Sequence, residues 1–372
     1  MFGAYHALAL LAVTFVVTFA LVPAVKHLAW RLDAVDYPSK RRVNSAAVPR
    51  LGGLAMFGGM AAAFLFECLG EALLGWNGLF LSQGHLPINY LVVMFGVLVM
   101  LAVATVDDIW QIHWWQKLLG QVVAALLICI GGVQFAQIQN PFVSGPDFIE
   151  FGLWTYLLTV VYIVGFVNMM NLIDGLDGLA AGVTAIVGIA LFVIAYGKAR
   201  AEAAMMAVVL VGACLAFLRY NFAPAKIYMG DVGSHLLGTM LAIISLVGVM
   251  RSPTFIVLIV PLIIAGIPFV DTLLSIIRRI RHHQPVTRPD MRHFHHLLIK
   301  RNWTTPQAVL IVWGLTALLA LAGILMASTT GFIALFIFIA LLVVFGIILW
   351  RLGLFGDVWT HYYNPRGRNK KK

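Results

Sequence analysis

Eleven apolar runs, each about twenty residues long, alternate with short polar stretches along the 372 residues. They cover 5–25, 51–74, 89–106, 117–134, 153–170, 175–196, 202–219, 233–250, 254–279, 306–327 and 331–350. Backbone groups in lipid must bond to each other, so only helices and closed barrels cross a bilayer. Unbroken apolar runs exclude the alternating pattern of a barrel strand. The pattern therefore predicts an all-α polytopic membrane protein of about 11 transmembrane helices, folded as a single transmembrane domain over 1–372. Composition agrees: 62% of residues are hydrophobic and 11% charged, too little charge for the surface of a soluble protein this long. The first run lacks a basic leader and a small-residue cleavage site, so it reads as a retained span.

The formal charge of +10 would suit a nucleic-acid binder, but its distribution has a topological cause. Alternating the spans places 22 of the 25 Lys and Arg on one side, leaving only Lys198, Arg200 and Arg251 on the other. The positive-inside rule then sets the N-terminus outside and the C-terminus in the cytoplasm. Nucleic acid is not an expected partner; the lipid bilayer is. Cys68, Cys129 and Cys214 all lie in apolar runs and read as small buried hydrophobes. The outer segment 135–152, with Pro141 and Gly145-Pro146 amid alternating apolar residues, suits a short hairpin.

Acids inside this frame mark chemistry. An unpaired Asp at the centre of a membrane helix costs roughly 3 kcal/mol. NMMNLIDGLDGLAAG (168–182) nevertheless places Asn168, Asn171, Asp174 and Asp177 between two apolar runs. At a spacing of three, the two acids would share one face of a helix, as would the two amides. The bland alternative is an N-capped helix start with small residues for packing. VDDIW closes the third run with Asp107 and Asp108, which would point in different directions. KIYMGDVGSHLLG sets Asp231 just before the eighth run, where an acid also complements the helix dipole. These three places are distant in sequence but lie at one membrane depth, at the cytoplasmic ends of spans. Asp and Asn oxygens suit Mg²⁺, a hard cation that keeps waters and shares substrate phosphates.

The basic loops add anion receptors. RHHQPVTRPDMRHFHHLLIKR is densest at Arg292, His293, His295 and His296. Attraction to anionic lipid is the alternative reading. Loop 26–50 supplies Lys40, and Arg219 and Asn221 precede Asp231. Asp271 follows Pro268 inside the ninth run and suggests a supporting role. Loops 26–50, 107–116, 171–174, 220–232 and 280–305 together would form a cytoplasmic active site.

The set PSKRRVNSAAVPRLGG, VDDI, NMMNLIDGLDGLAAG, YMGDVGS and RHFHHLL strongly resembles the polyprenyl-phosphate N-acetylhexosamine-1-phosphate transferases, in the family's order over nearly the whole chain. The His-x-His-His form at His293, His295 and His296 resembles the branch that uses UDP-GlcNAc and undecaprenyl phosphate. The peptidoglycan branch, which transfers phospho-N-acetylmuramoyl-pentapeptide, typically has three consecutive His. Phe294 stands where that family usually has Ile or Leu. The resemblance implies a bacterial inner-membrane enzyme with eleven spans, a cytoplasmic active site and Mg²⁺, with Mn²⁺ as a substitute. It also implies release of UMP and formation of a lipid-linked sugar pyrophosphate, the first membrane step of a cell-envelope polysaccharide pathway.

On this basis Asp107, Asp108, Asp174 and Asp177 are the expected catalytic residues, and Asp231 with Asp108 the expected metal ligands. Asn168, Asn171, Lys40, Arg219, Asn221, Arg292, His293, His295 and His296 would bind substrate, and a homodimer is compatible with the family. Alternatives are a pentapeptide transferase, a transferase for another UDP-N-acetylhexosamine, an ion-coupled transporter or a polytopic scaffold. A transporter site would more often lie near the midplane at broken helices. The topology is directly testable. A reporter inserted in loop 280–305 is expected in the cytoplasm and one in 135–152 outside; the reverse would remove the active-site assignment together with the topology.

Overall fold

The computed structural model describes residues 3–38, 47–76, 88–135, 137–139, 148–249, 266, 270, 276–277, 303–329 and 332–351. Within them the helices are α1 (Ala4–Arg31), α2 (Gly52–Leu74), α3 (Tyr90–Trp110), α4 (Trp114–Ile130), α5 (Trp154–Ile173), α6 (Leu179–Gly197), α7 (Ala201–Asn221), α8 (Gly230–Val249), α9 (Thr305–Ser328) and α10 (Phe332–Arg351). Eight of the described helices are long and apolar enough to cross a membrane, and α4 is a shorter apolar helix. The chain is thus an all-α multi-pass membrane protein. Ten of the eleven predicted runs coincide with helices; run 254–279 lies almost wholly outside the described residues.

Helices α7 and α8 form the centre. In each, 83% of the most apolar stretch is buried, against 22% for α1 at the periphery. Helix α7 packs on α1, α2, α6 and α8, and α8 packs on α2, α3, α5 and α7. Since lipid is as apolar as Leu, such contacts rest on close packing, which small residues permit. The buried face of α7 is accordingly rich in Ala203, Ala204, Ala207, Gly212, Ala213 and Ala216.

Three local devices bring the polar helix ends together. Helix α3 stops at Gln111, whose φ is +51°. Helix α4 starts after His113, whose N–H donates to Gln116 Oε1 at 3.0 Å. The turn is so tight that Lys117, one turn into α4, lies beside Asp107 near the end of α3. The second device joins α2 to α8. Gly52 and Gly53 donate their N–H groups to the Tyr228 and Met229 carbonyls, both at 2.9 Å, just before α8 begins. A Cβ on Gly53 would collide with the backbone of Gly233, so these helix ends meet only because neither residue has a side chain. The third is a short antiparallel pair, β1 (Val35–Asp36) with β2 (Val48–Pro49), extended by a parallel bridge from Arg50 to Tyr228. Two-residue strands are too short to leave a hydrophobic period, so nothing in loop 26–50 foretold them. The expected hairpin in 135–152 forms through β3 (Gln137–Gln139) and β4 (Phe148–Glu150).

One expectation is corrected. Asp174 and Asp177 do not share a helical face, because α5 ends at Ile173 and α6 begins at Leu179, four residues later than the sixth run. Gly178 has φ +80°, a conformation that interrupts a right-handed helix. Both acids sit in the turn this creates.

The glycine contact generates a test. Gly53→Ala should lower the thermal midpoint in detergent, because overpacking a tight contact costs about 1–3 kcal/mol. Gly314→Ala on α9 is the control, since a Cβ there meets nothing within 4 Å. Equal midpoints for the two variants would show that the α2–α8 crossing tolerates a methyl group.

Candidate active site

The helix ends converge on five carboxyl groups. The Lys117 ammonium bridges two of them: Nζ donates to Asp107 Oδ2 at 2.9 Å and makes a short contact with Asp231 Oδ2. On α5, Asn171 Nδ2 donates to Asp231 Oδ1 at 2.8 Å and to Ser234 Oγ at 3.1 Å. Asp231 is therefore held from α4 and α5 while lying in the first turn of its own helix α8. Its side chain keeps 25% of its surface accessible, so a ligand can reach it.

Asp108 was expected to share a metal ion with Asp231, but its surroundings favour a bracing role. It is 2% exposed, and its Oδ2 accepts the Val232 N–H at 3.0 Å, satisfying a free donor at the start of α8. Arg50 donates from Nη2 to the Asp108 carbonyl at 2.8 Å, and its Nε lies 3.9 Å from Oδ1. Gly230, with φ +70°, passes so close that a Cβ would collide with Asp108 Oδ2. The two adjacent acids thus diverge as predicted, Asp107 toward Lys117 and Asp108 into the α8 N-terminus.

The turn after α5 supplies Asp174 and Asp177. Asp177 Oδ2 accepts the Ala225 N–H at 2.9 Å. Burial raises the pKa of this carboxyl, opposed by that N–H and by Tyr228. Asp174 has no hydrogen-bond donor among the described residues. Burial, followed by the charges of Asp231, Asp108 and Asp177, pushes its pKa up to about 8. Five acids here face only two described cationic side chains, Arg50 and Lys117, so the cluster favours a further positive charge.

The other expected residues divide by place. Asn221 is 2% exposed and ties two loops together: its Oδ1 accepts Gly178 N–H and its Nδ2 donates to Ile227 O, both at 3.0 Å. That is a scaffold position, not the substrate contact expected of it. Arg219 is exposed in the last turn of α7 and pairs with none of the five acids among the described residues. Asn168 lies one turn below Asn171 and donates to Gln121 Oε1 at 2.8 Å. Lys40, Arg292, His293, His295, His296 and Asp271 lie outside the described residues.

Lys117, Arg50, Ser234, Gln121 and His235 belong to the site or its support and were missed. Lys117 entered the sequence reading only as a topological charge. The usable signal was polar spacing: Lys117 and Gln121 are four apart in an apolar run, and Asp231, Ser234 and His235 follow at three and four.

Residues 90–249 match the glycosyl transferase family 4 profile, a segment running from α3 to α8 that contains all five acids and Lys117. The chain is 34% identical over 345 residues to a Bacillus subtilis protein named as a probable undecaprenyl-phosphate N-acetylglucosaminyl 1-phosphate transferase, covering 93% of this chain and 92% of that one. It is 30% identical over 319 residues to the undecaprenyl-phosphate alpha-N-acetylglucosaminyl 1-phosphate transferase of Haemophilus influenzae, covering 84% and 85%. A phospho-N-acetylmuramoyl-pentapeptide-transferase of Desulforudis audaxviator is also 30% identical, over 340 residues, covering 84% and 95%. A bundle of membrane helices with its acids gathered at one set of helix ends is thus of the glycosyl transferase family 4 class. Within that class, the chain belongs to the polyprenyl-phosphate N-acetylhexosamine-1-phosphate transferase family.

The different surroundings of Asp231 and Asp108 predict different failures. Asp231→Asn keeps the shape and the fold, and should reduce turnover at least about a hundredfold, as when one key electrostatic group is lost. Asp108→Ala leaves the Val232 N–H without its acceptor and removes the carboxylate 3.9 Å from Arg50 Nε, and should lower the thermal midpoint. A stable Asp108→Ala protein with Asp231→Asn activity near normal would invert these roles.

Proposed function

We propose that this protein transfers N-acetylglucosamine 1-phosphate from UDP-GlcNAc to undecaprenyl phosphate, releasing UMP and leaving undecaprenyl-pyrophosphoryl-GlcNAc. The observation that carries this reading is the Asp107–Lys117–Asp231 cluster, within a segment matching the family and a chain similar to such transferases over 93% of its length.

A phosphate oxygen of the lipid attacks the donor phosphorus that bears the sugar. A new P–O bond forms, and the bond from that phosphorus to the UMP oxygen breaks. A phosphomonoester has its second pKa near about 6, so the acceptor is already largely dianionic and needs no strong base. Asp107 then serves mainly to orient it, and Lys117 offers a cation to a phosphate that enters between Asp107 and Asp231. Charge grows on the departing pyrophosphate oxygen, so electrostatic stabilisation should dominate the rate.

The donor set fits Mg²⁺, with Mn²⁺ as a substitute. All the candidate ligands are hard oxygens, and among the described residues Asp174 has no hydrogen-bond donor and the acids outnumber the cations. No group of three or more His, Cys, Asp or Glu among the described residues could hold an ion unaided. That suits a cation brought in with the nucleotide and held by one or two carboxylates plus phosphate oxygens. When bound it would neutralise charge on the pyrophosphate. Asp231 is the leading ligand, with Asp174 beside it, and Asn171 holds Asp231 in place.

The basic bias of the loops supports a cytoplasmic active site in a bacterial inner membrane, with N-terminus outside and eleven spans. Arg292, His293, His295 and His296 would grip the donor pyrophosphate from that side. The pentapeptide transferase is the second reading, supported by the Desulforudis relative. The interrupted His run favours GlcNAc.

Purified protein with radiolabelled UDP-GlcNAc, undecaprenyl phosphate and Mg²⁺ should yield lipid-extractable label and UMP. Label appearing only from UDP-N-acetylmuramoyl-pentapeptide would favour the second reading, and none from either would remove both. Because Asp174 must ionise to bind a cation, and its pKa stands at about 8, Mg²⁺ should bind more tightly as pH rises toward that value. Calorimetric titration of Mg²⁺ with nucleotide at two pH values checks the sign; equal affinities would exclude Asp174 from the cation site. His295→Ala should lower turnover at saturating lipid with normal membrane insertion, and recovery on adding anionic lipid would reassign the His loop to lipid attraction.

A further inference from the structure

Beneath the acids lies a second polar layer. Helices α4, α5 and α8 each give one residue to the upper layer (Lys117, Asn171, Asp231) and one to the lower, a turn further into the bundle (Gln121, Asn168, His235). Gln121 is 1% and His235 0% exposed. Helix α4 packs on α3 and α5. Two side-chain pairs link it to α8: Lys117 to Asp231 above, and Gln121 to His235 below at 2.8 Å.

The hydrogen bonds of the lower layer run in one direction. Asn168 Nδ2 faces two acceptors, Val164 O at 2.9 Å and Gln121 Oε1 at 2.8 Å. Turning the Asn amide over would point its oxygen at a carbonyl, so its orientation is set. Gln121 must then accept at Oε1 and donate from Nε2. Its Nε2 lies against His235 Nε2, and an amide nitrogen cannot accept. His235 Nε2 therefore carries the lone pair, and the ring proton is on Nδ1. That Nδ1 is buried and faces the Asp231 carbonyl one turn back on α8, with imperfect hydrogen-bond geometry. A poorly aligned buried donor is costly, and hydrogen bonds between membrane helices contribute little net stability. Stability alone would be better served by apolar residues of similar size, so the layer points to a positional role.

We propose that Gln121, His235 and Asn168 form a neutral hydrogen-bonded layer that positions Lys117 between Asp107 and Asp231, with His235 held as the Nδ1-protonated tautomer. His235 touches no reacting atom in this scheme; it acts through Gln121 on the helix that carries Lys117. Lys117 has several rotatable bonds, but its single ammonium must reach acids on α3 and α8 together. Its placement relative to both acids at once therefore depends on where α4 sits against α8. The lower layer sets that distance one turn away, without adding charge beside the metal-binding carboxylates. The proposal rests on the transferase reading of the upper layer.

The test uses full-length protein in detergent, with wild-type turnover measured in the same assay. Absent wild-type transfer would count against the transferase reading and hence the kinetic arm, while the tautomer arm stands by itself. In that arm, ¹⁵N-histidine spectra of wild type and His235→Gln identify the His235 signals by difference. An Nδ1-protonated neutral ring is expected near neutral pH, and an Nε2-protonated or doubly protonated ring overturns the proposal. In the kinetic arm, His235→Leu should lower kcat at least about tenfold, the usual effect of losing a group that orients a ligand-bearing residue. Donor KM should change less than about threefold, since the substrate contacts remain. His235→Gln, which can place an oxygen acceptor where Nε2 lies, should restore kcat to within about threefold of wild type. Gln121→Leu should match His235→Leu, and the double variant should be no worse than either single one, because both remove one link. A His235→Leu enzyme that loses thermal stability but keeps wild-type kcat per folded molecule would make the layer a packing element only and overturn the positional role. So would a His235→Gln enzyme as slow as His235→Leu.

Discussion

Like charges resist being gathered, and this protein gathers five carboxyl groups at the ends of membrane helices. Asp107 and Asp231 come from helices more than a hundred positions apart, and Lys117 lies between them. Without that ammonium the two acids would face each other across a poorly solvated gap. With it they form a compact cluster in which both acids keep part of their surface accessible. The arrangement needs α3, α4, α5 and α8 to bring these side chains to one place.

That convergence accounts for much of the local architecture. The short turn from α3 to α4 places Lys117 beside Asp107. Gly53 and Gly233 allow α2 and α8 to touch backbone to backbone, which fixes the point where Asp231 emerges. Asp108 accepts a free N–H at the start of α8 and so brings charge into the cluster while securing it. Asn221 fastens the turn carrying Asp174 and Asp177 to the loop before α8. Several residues that resemble catalytic groups are therefore supports, and the residues left with accessible oxygens are few. In membrane proteins, polar side chains near helix ends serve both purposes, because water cannot satisfy what the protein leaves unpaired.

The division between Asp107 and Asp108 shows how far pattern alone reaches. Adjacent helical positions diverge by geometry, so it was predictable that they would serve different partners. Which one meets Lys117 and which caps α8 depends on the rotation of α3 about its axis, set by packing against α4 and α8. Asp174 and Asp177 show the opposite failure. Their spacing of three suggested one helical face, but two glycines within four residues interrupt the helix there, and the acids end in a turn. Lys117 was invisible as a site residue because a single Lys near a span end has an adequate explanation in topology.

The sequence by itself determined the membrane architecture, the position of most helices, the acids that gather at their ends and the family. Each follows from local chemistry: run length against bilayer thickness, the cost of burying charge, and motif spacing. Only the tertiary structure decided which acid stays accessible and which braces α8, that Lys117 joins Asp107 to Asp231, and that a second polar layer runs through Gln121, His235 and Asn168. These are contacts between different helices, 10 to 124 positions apart in the chain. No periodicity encodes them, because they depend on how each helix is rotated and how deeply it is set, and small residues at the helix crossings decide both.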